Sequence, residues 1–165
     1  MMPARAGRVQ MVVAFLLMLL LQFYVRPRLW GPRVSPDFLF VGLMLLALRS
    51  SPGVAALAGL LVGLAGDALT PARFGAGMLA NTLVGYAASW GRAVFFADNI
   101  LVNAAFVGAG LWVRDLLTLL LSGAGDRPIL AEIAVYGPLE AVATAAFALL
   151  VLLASRQWFS VRLDA

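Results

Sequence analysis

Six long apolar stretches, at about residues 9–25, 36–49, 53–69, 76–90, 99–122 and 129–154, are separated by short breaks rich in proline, glycine and arginine. A run of about 20 apolar residues matches the roughly 30 Å hydrocarbon core of a bilayer. In that solvent each backbone N–H and C=O must be bonded within the segment, so such runs form helices. The chain is 63% hydrophobic and only 12% charged, about half the charge of an ordinary soluble domain. It therefore reads as an all-α, polytopic membrane protein: one transmembrane domain over residues 1–165, with six transmembrane helices in one bundle and both termini on the same side.

The breaks carry their own signals. VQMVVAFLLMLLLQFYV, residues 9–25, follows Arg5 and Arg8 as a signal peptide would, but Phe23, Tyr24 and Arg26 stand where a small-x-small cleavage site would be needed. It is read as a retained first helix. The basic loop RPRLWGPRV leads to Ser35-Pro36-Asp37, where Ser can cap, Pro suits the first helical position and Asp complements the helix dipole. Helix two, ending near Arg49, is short for a span, which leaves a tilted or re-entrant segment open.

Ser50-Ser51-Pro52-Gly53 breaks helix two from helix three, and Thr70-Pro71-Ala72-Arg73-Phe74-Gly75 forms the next turn. WGRAVFFADN, residues 90–99, suits the headgroup level, SGAGDRP is a loop, and Gly137-Pro138 is expected to kink helix six. With both termini cytoplasmic, the inside collects Arg5, Arg8, Arg49, Arg92, Arg156 and Arg162, and the outside Arg26, Arg28, Arg33, Arg73 and Arg127. The basic flank of the first helix sets that orientation.

There is no cysteine and no histidine, and the net charge of +4 rests on arginines scattered over termini and turns. Thiol, imidazole and most zinc or haem chemistry is thereby excluded. No basic run suits nucleic acid. Nothing supplies a nucleophile, a metal cluster or a phosphate cradle beside the carboxylates, so no enzyme activity and no cofactor is expected.

Several polar groups nonetheless fall inside the apolar stretches. In GLLVGLAGD the fourfold spacing puts Gly59, Gly63 and Asp67 on one helix face. Small residues there let another helix approach closely, the usual basis of helix association in lipid. Asp67 is expected to pin the corner between helices three and four through Thr70, Arg73 or the amides that open helix four. Helix four repeats the spacing with Gly77, Asn81, Gly85 and Ser89, and Asn81 is placed to seek a partner across a helix interface. Helix six aligns Glu132, Tyr136 and Glu140 with Thr144 beyond, and helix five offers Gly110, Arg114 and Thr118 with Asp115 beside them. A lone charge at mid-bilayer costs about 2.5–3.5 kcal/mol on insertion scales. Arg114 is therefore expected to pair with Glu140 or Glu132, within an ion-pair network or around a polar cavity.

Pro36-Asp37 opening helix two, Arg49 before the glycine turn, the GxxxGxxxD of Gly59, Gly63 and Asp67, Phe74-Gly75 opening helix four, Gly85-Tyr86, and Asp98-Asn99 follow one another in a characteristic order and spacing. Over about residues 35–122 the chain resembles the MreD family of bacterial rod shape-determining proteins. The resemblance implies a non-enzymatic inner-membrane component of the cell-elongation machinery that binds MreC, with RodA and its penicillin-binding partner and MreB filaments as further members of the complex. It also implies likeness to the substrate-binding subunits of energy-coupling-factor transporters. The alternative function is accordingly a vitamin-type transport subunit, with Asn81, Arg114, Asp115, Glu132, Tyr136 and Glu140 around the ligand.

Overall fold

The computed structural model describes residues 13–29, 34–68, 74–95, 100–123 and 131–160, with the backbone alone for 92–95 and 155–160. Among these residues the chain is helical, with no strand. Helix α1 spans 13–28, α2 Phe38–Ala47, α3 Pro52–Asp67, α4 Ala76–Phe95, α5 Ile100–Ser122 and α6 131–160. Two helical segments, Ile100–Ser122 and Glu132–Ala154, are long and apolar enough to cross a membrane, and Phe38–Ala47 and Pro52–Asp67 are shorter apolar helices. The first four residues of the expected helix one, residues 69–73 with Thr70 and Arg73, and Asp98-Asn99 lie outside the described residues, as do Arg5, Arg8, Arg33, Arg127 and Arg162.

Helix α2 is the centre. Of its ten residues, Phe38, Leu39, Phe40, Val41, Leu43, Met44 and Ala47 are buried, the pattern of a helix that is apolar all round and enclosed by other helices. Its neighbours make room with small residues. Leu43 fits against Gly85 of α4, and the Met44 methyl against Gly110 of α5. Met18 and Phe15 of α1 rest on Gly42. Phe38 meets Phe147 of α6 edge to face, with ring centroids 4.7 Å apart. At about 1.5 Å per residue the helix is roughly 15 Å long, half of a hydrocarbon core.

Helices α3 and α4 form the tightest pair. A Cβ on Gly59 would collide with the backbone of Asn81 and Thr82, one on Gly63 would stand 2.6 Å from the carbonyl oxygen of Gly77, and one on Gly85 2.7 Å from that of Ala55. The seam is thus backbone against backbone, with glycines contributed from both sides. At its far end Ser89 Oγ donates to the carbonyl of Ser50 at 2.7 Å, closing the turn between α2 and α3. Between α5 and α6, Gly108 plays the same part beneath Ala141 and Ala145.

Several boundaries differ from the sequence reading. Helix two begins with Asp37 as its N-cap, the side chain accepting from Phe40 N–H at 3.0 Å, so Pro36 lies outside the helix and Ser35 is not the cap. A carboxylate serves better here than a hydroxyl because its second oxygen is left to meet a cation. Helix four runs on to Phe95, through half of the stretch expected as a connection. In helix six the irregularity is a π-helical turn, Glu132–Tyr136, immediately before Gly137-Pro138. Gly137 N–H bonds Glu132 O, five residues back, which frees the carbonyl of Ile133. Trp112 Nε1 of α5 donates to that oxygen at 3.1 Å, and its ring fits only because residue 137 has no Cβ, which would lie 3.0 Å from Trp112 Cδ1. Helix α1 ends in the same manner, with a π turn at Leu21–Val25 before Pro27 and a 3-10 turn at Arg26–Arg28.

The α3–α4 seam generates a direct expectation. Gly63→Leu forces the two backbones apart and should lower stability by at least about 1–3 kcal/mol, whereas Leu64→Ile, at a partly exposed position, should change it little. Thermal melts of the two variants in detergent decide the matter; equal tolerance would remove the seam as a source of stability.

Candidate functional site

The start of α2 lies among α1, α5 and α6, where its N–H groups need partners that lipid cannot supply. The surrounding side chains provide them. Asp37 N–H donates to Thr144 Oγ1 at 3.0 Å, Phe38 N–H to Gln22 Oε1 at 2.9 Å, and Phe40 N–H to Asp37 Oδ1 at 3.0 Å. Thr144 is fully buried. This helix start is thus satisfied by side chains from α1 and α6 together with its own cap.

Asp37 divides its two oxygens between tasks. While Oδ1 caps the helix, Oδ2 accepts from Arg114 Nη2 at 2.7 Å and lies 3.7 Å from Arg26 Nη1. The other side of the Arg26 guanidinium is bonded to Glu140 Oε1 through Nη2. Arg114 also sits over the ring of Phe40, 5.4 Å from its centroid, an added cation–π contact. Its Nε is 3.2 Å from Asp115 Oδ1 but makes no hydrogen bond there, because adjacent residues on a helix point in directions too different for alignment. That contact is electrostatic only. Thr118 Oγ1 returns to the Arg114 carbonyl at 2.8 Å.

This arrangement corrects the expected pairing. Arg114 is held by Asp37 of α2, and its expected partner Glu140 is taken by Arg26. Helix α2 is wedged against α5, so its capping carboxylate is nearer to Arg114 than α6 is. Arg26, assigned to an outer loop by sequence, stands at the end of α1 facing inward. Gln22 and Arg26 are the residues of this site that the sequence reading missed; the signal available was their spacing of four, which puts both on one face of an otherwise apolar helix.

A cavity of about 640 Å³ adjoins the network. Residues from all six helices line it, among them Gln22, Asp37, Gly63, Asp67, Asn81, Asp115, Glu132, Tyr136 and Glu140. Its walls carry five carboxylates, with Asp67 counted, and the guanidiniums of Arg26 and Arg114. The sequence candidates Asp37, Arg114, Asp115, Glu132, Tyr136 and Glu140 are therefore brought to one place. Arg49 and Phe74 are not, being exposed at turns.

The second group of candidates lies along the α3–α4 seam and meets the cavity at Asp67. Asp67 Oδ2 accepts from Gly75 N–H at 2.8 Å and Met78 N–H at 3.0 Å. Gly75, just before α4, has φ of 96°, a conformation that glycine adopts without strain. It has no side chain with which to cap the helix it precedes. Asp67 does so from the preceding helix, reaching over Gly77, where a Cβ would occupy the place of its carboxylate. Asn81, expected to bond across a helix interface, instead donates from Nδ2 to Gly77 O at 2.8 Å within its own helix; Gly59 brings α3 so close that backbone, not side chain, fills the interface.

Removing Arg114 by Arg114→Ala strands Asp37 beside a capped helix end and should cost about 3–5 kcal/mol. In a double-mutant cycle, Asp37→Asn should show a coupling with Arg114→Ala of about 0.5–3 kcal/mol, and Glu132→Gln close to none. Detergent unfolding of the four members of each cycle provides the numbers. Coupling confined to Glu132 would contradict the network as described.

No curated protein and no solved structure matches the chain. The family model of the rod shape-determining protein MreD does match, over residues 5–154, nearly the whole chain and well beyond the stretch whose motifs suggested it. That family consists of bacterial membrane proteins with a part in determining rod shape, and the chain belongs to it.

Proposed function

We propose that this chain is a non-enzymatic scaffold of the elongation complex in the bacterial inner membrane. Its six helices enter or cross the bilayer as one transmembrane domain, with both termini cytoplasmic. It binds MreC directly and helps to organise peptidoglycan synthesis with RodA, its penicillin-binding partner and MreB filaments. Lipid is its other surrounding partner, and nucleic acid has no place in the reading. The observation that carries the proposal is the family match over residues 5–154.

The distribution of side chains supports it. Leu57, Leu61 and Leu64 on α3, Leu79 and Leu83 on α4, and Val142 and Leu150 on α6 are exposed, and such faces suit lipid or the membrane helix of another protein. Asp37, Asp115, Glu132, Glu140, Arg26 and Arg114 face the cavity or one another. In this reading they act through the stability of the bundle, and recognition belongs to the apolar faces and the turns. The transport alternative draws support from the polar cavity alone.

The purified chain is expected to capture MreC through the membrane segment of that protein, and to gain no thermal stability from vitamins or similar small molecules. A melting shift of several degrees with one such molecule, together with no capture of MreC, would replace the scaffold by the transport subunit. At the α3–α4 corner, Asp67→Leu removes the cap of α4, a loss of about 1 kcal/mol or more, and should weaken rod growth in cells more than membrane insertion. Normal rod shape with the variant inserted and folded would deny that corner a functional role.

A further inference from the structure

Helix α1 is attached to the bundle differently from the others. Of its described residues only Met18 is buried, while Val13, Leu16, Leu17, Leu20 and Tyr24 are exposed. In lipid, leucines that face outward give no drive toward the bundle, since acyl chains solvate them equally well. The grip is therefore a single stripe. Its first half is apolar: Phe15 and Met18 lie over Gly42 of α2, where an added Cβ would meet them at 3.5–3.7 Å. Its second half is polar: Gln22 holds Phe38 N–H, and Arg26 bridges Glu140 and Asp37.

Those polar residues also form a wall of the cavity, with Gln22, Phe23, Arg26 and Pro27 lining it. Over the same stretch the α-helical ladder gives way, first to the π turn of Leu21–Val25 and then to the 3-10 turn of Arg26–Arg28. Departures of this kind are where helices bend and where functional rearrangement is concentrated. The latch, the cavity wall and the irregular backbone coincide.

We propose that α1 is a lateral gate on the polar cavity, latched against the bundle by Arg26 and Gln22. In the closed state the Arg26 guanidinium supplies the charge that Glu140 and Asp37 require. In the open state α1 moves off the bundle sideways, and the cavity, already partly open, gains an opening between α1 and α6. Arg114 remains on Asp37 and Thr144 on the Asp37 N–H throughout, so α2 keeps its cap; the contacts given up are those of Gln22 with Phe38 N–H and of Arg26 with Glu140 and Asp37. The proposal does not rest on which protein the bundle binds.

The chain has no cysteine, so introduced pairs can be spin-labelled without background. Leu20→Cys with Val142→Cys reports α1 against α6, and Leu61→Cys with Val142→Cys reports α3 against α6; all three sites are exposed. Pulsed dipolar distances are measured on the full chain in lipid nanodiscs. With Arg26 intact the first pair should give one narrow distribution. Arg26→Ala should shift most of that population outward by about one helix diameter, roughly 10 Å, while the second pair stays narrow. Arg26→Lys, which keeps a cation at the latch, should return most of the population to the short distance. An unchanged α1–α6 distribution in Arg26→Ala overturns the gate. So does broadening of both pairs together, which would make Arg26 a support of the whole fold.

Discussion

The carboxylate of Asp37 meets two demands that low-dielectric surroundings make severe, an uncapped helix start and an unpaired guanidinium. One oxygen closes the first turn of α2 and the other receives Arg114, with Arg26 close by. Each partner alone would be costly to bury. Together they let a helix of ten residues begin inside a ring of other helices, and every helix except α3 and α4 contributes a residue to that point. The central position of α2 follows, and with it the packing of α1, α5 and α6 around it.

The α3–α4 pair is held by a different physics. Among the described residues no charge pair joins them; the backbones approach until a Cβ at Gly59, Gly63 or Gly85 would collide, the close contact by which helices associate where no hydrophobic drive acts between them. Asp67 belongs to this seam and not to the ion-pair network, although both border the same cavity. The bundle thus has one half joined by close backbone contact and one half joined by charge, with α2 lying against both.

Much of this was legible in the sequence. Apolar runs divided by proline and glycine place the starts of α2 to α6 within about two residues, since Pro52 opens α3 and Gly75 precedes α4 as breakers must, whereas α4 and α6 run on past their expected ends to Phe95 and Ser160. The fourfold spacing of Gly59, Gly63 and Asp67 placed them on one face, and that face does meet α4. The convergence of Arg114, Asp115, Glu132, Tyr136 and Glu140 also followed from periodicity. What sequence could not supply was the identity of partners. Periodicity orders residues around one helix but says nothing of which helix lies opposite, so Arg114 was assigned to α6 when α2 intervenes. Arg26 was mistaken for a loop residue because the π and 3-10 turns carry the helix beyond the length that its apolar run suggests. The π turn of α6 was hidden for a related reason: Pro138 announces a disturbance, but whether the chain bends or widens depends on Trp112, which waits on another helix.

The reach of each contact along the chain bears on how the protein is made. The cap that Asp67 gives to α4 spans eight and eleven residues, so the α3–α4 hairpin is complete once α4 has left the ribosome. Asp37 must wait for Arg114, 77 residues later, and Arg26 for Glu140, 114 residues later. Chains emerge N-terminus first, at about 5–20 residues per second, so Arg114 and Glu140 are made several seconds after Asp37 and Arg26. During that interval the Asp37 carboxylate and the Arg26 guanidinium are each other's countercharge. The charge contacts of α1 and α2 with α5 and α6 therefore close only after the glycine hairpin can.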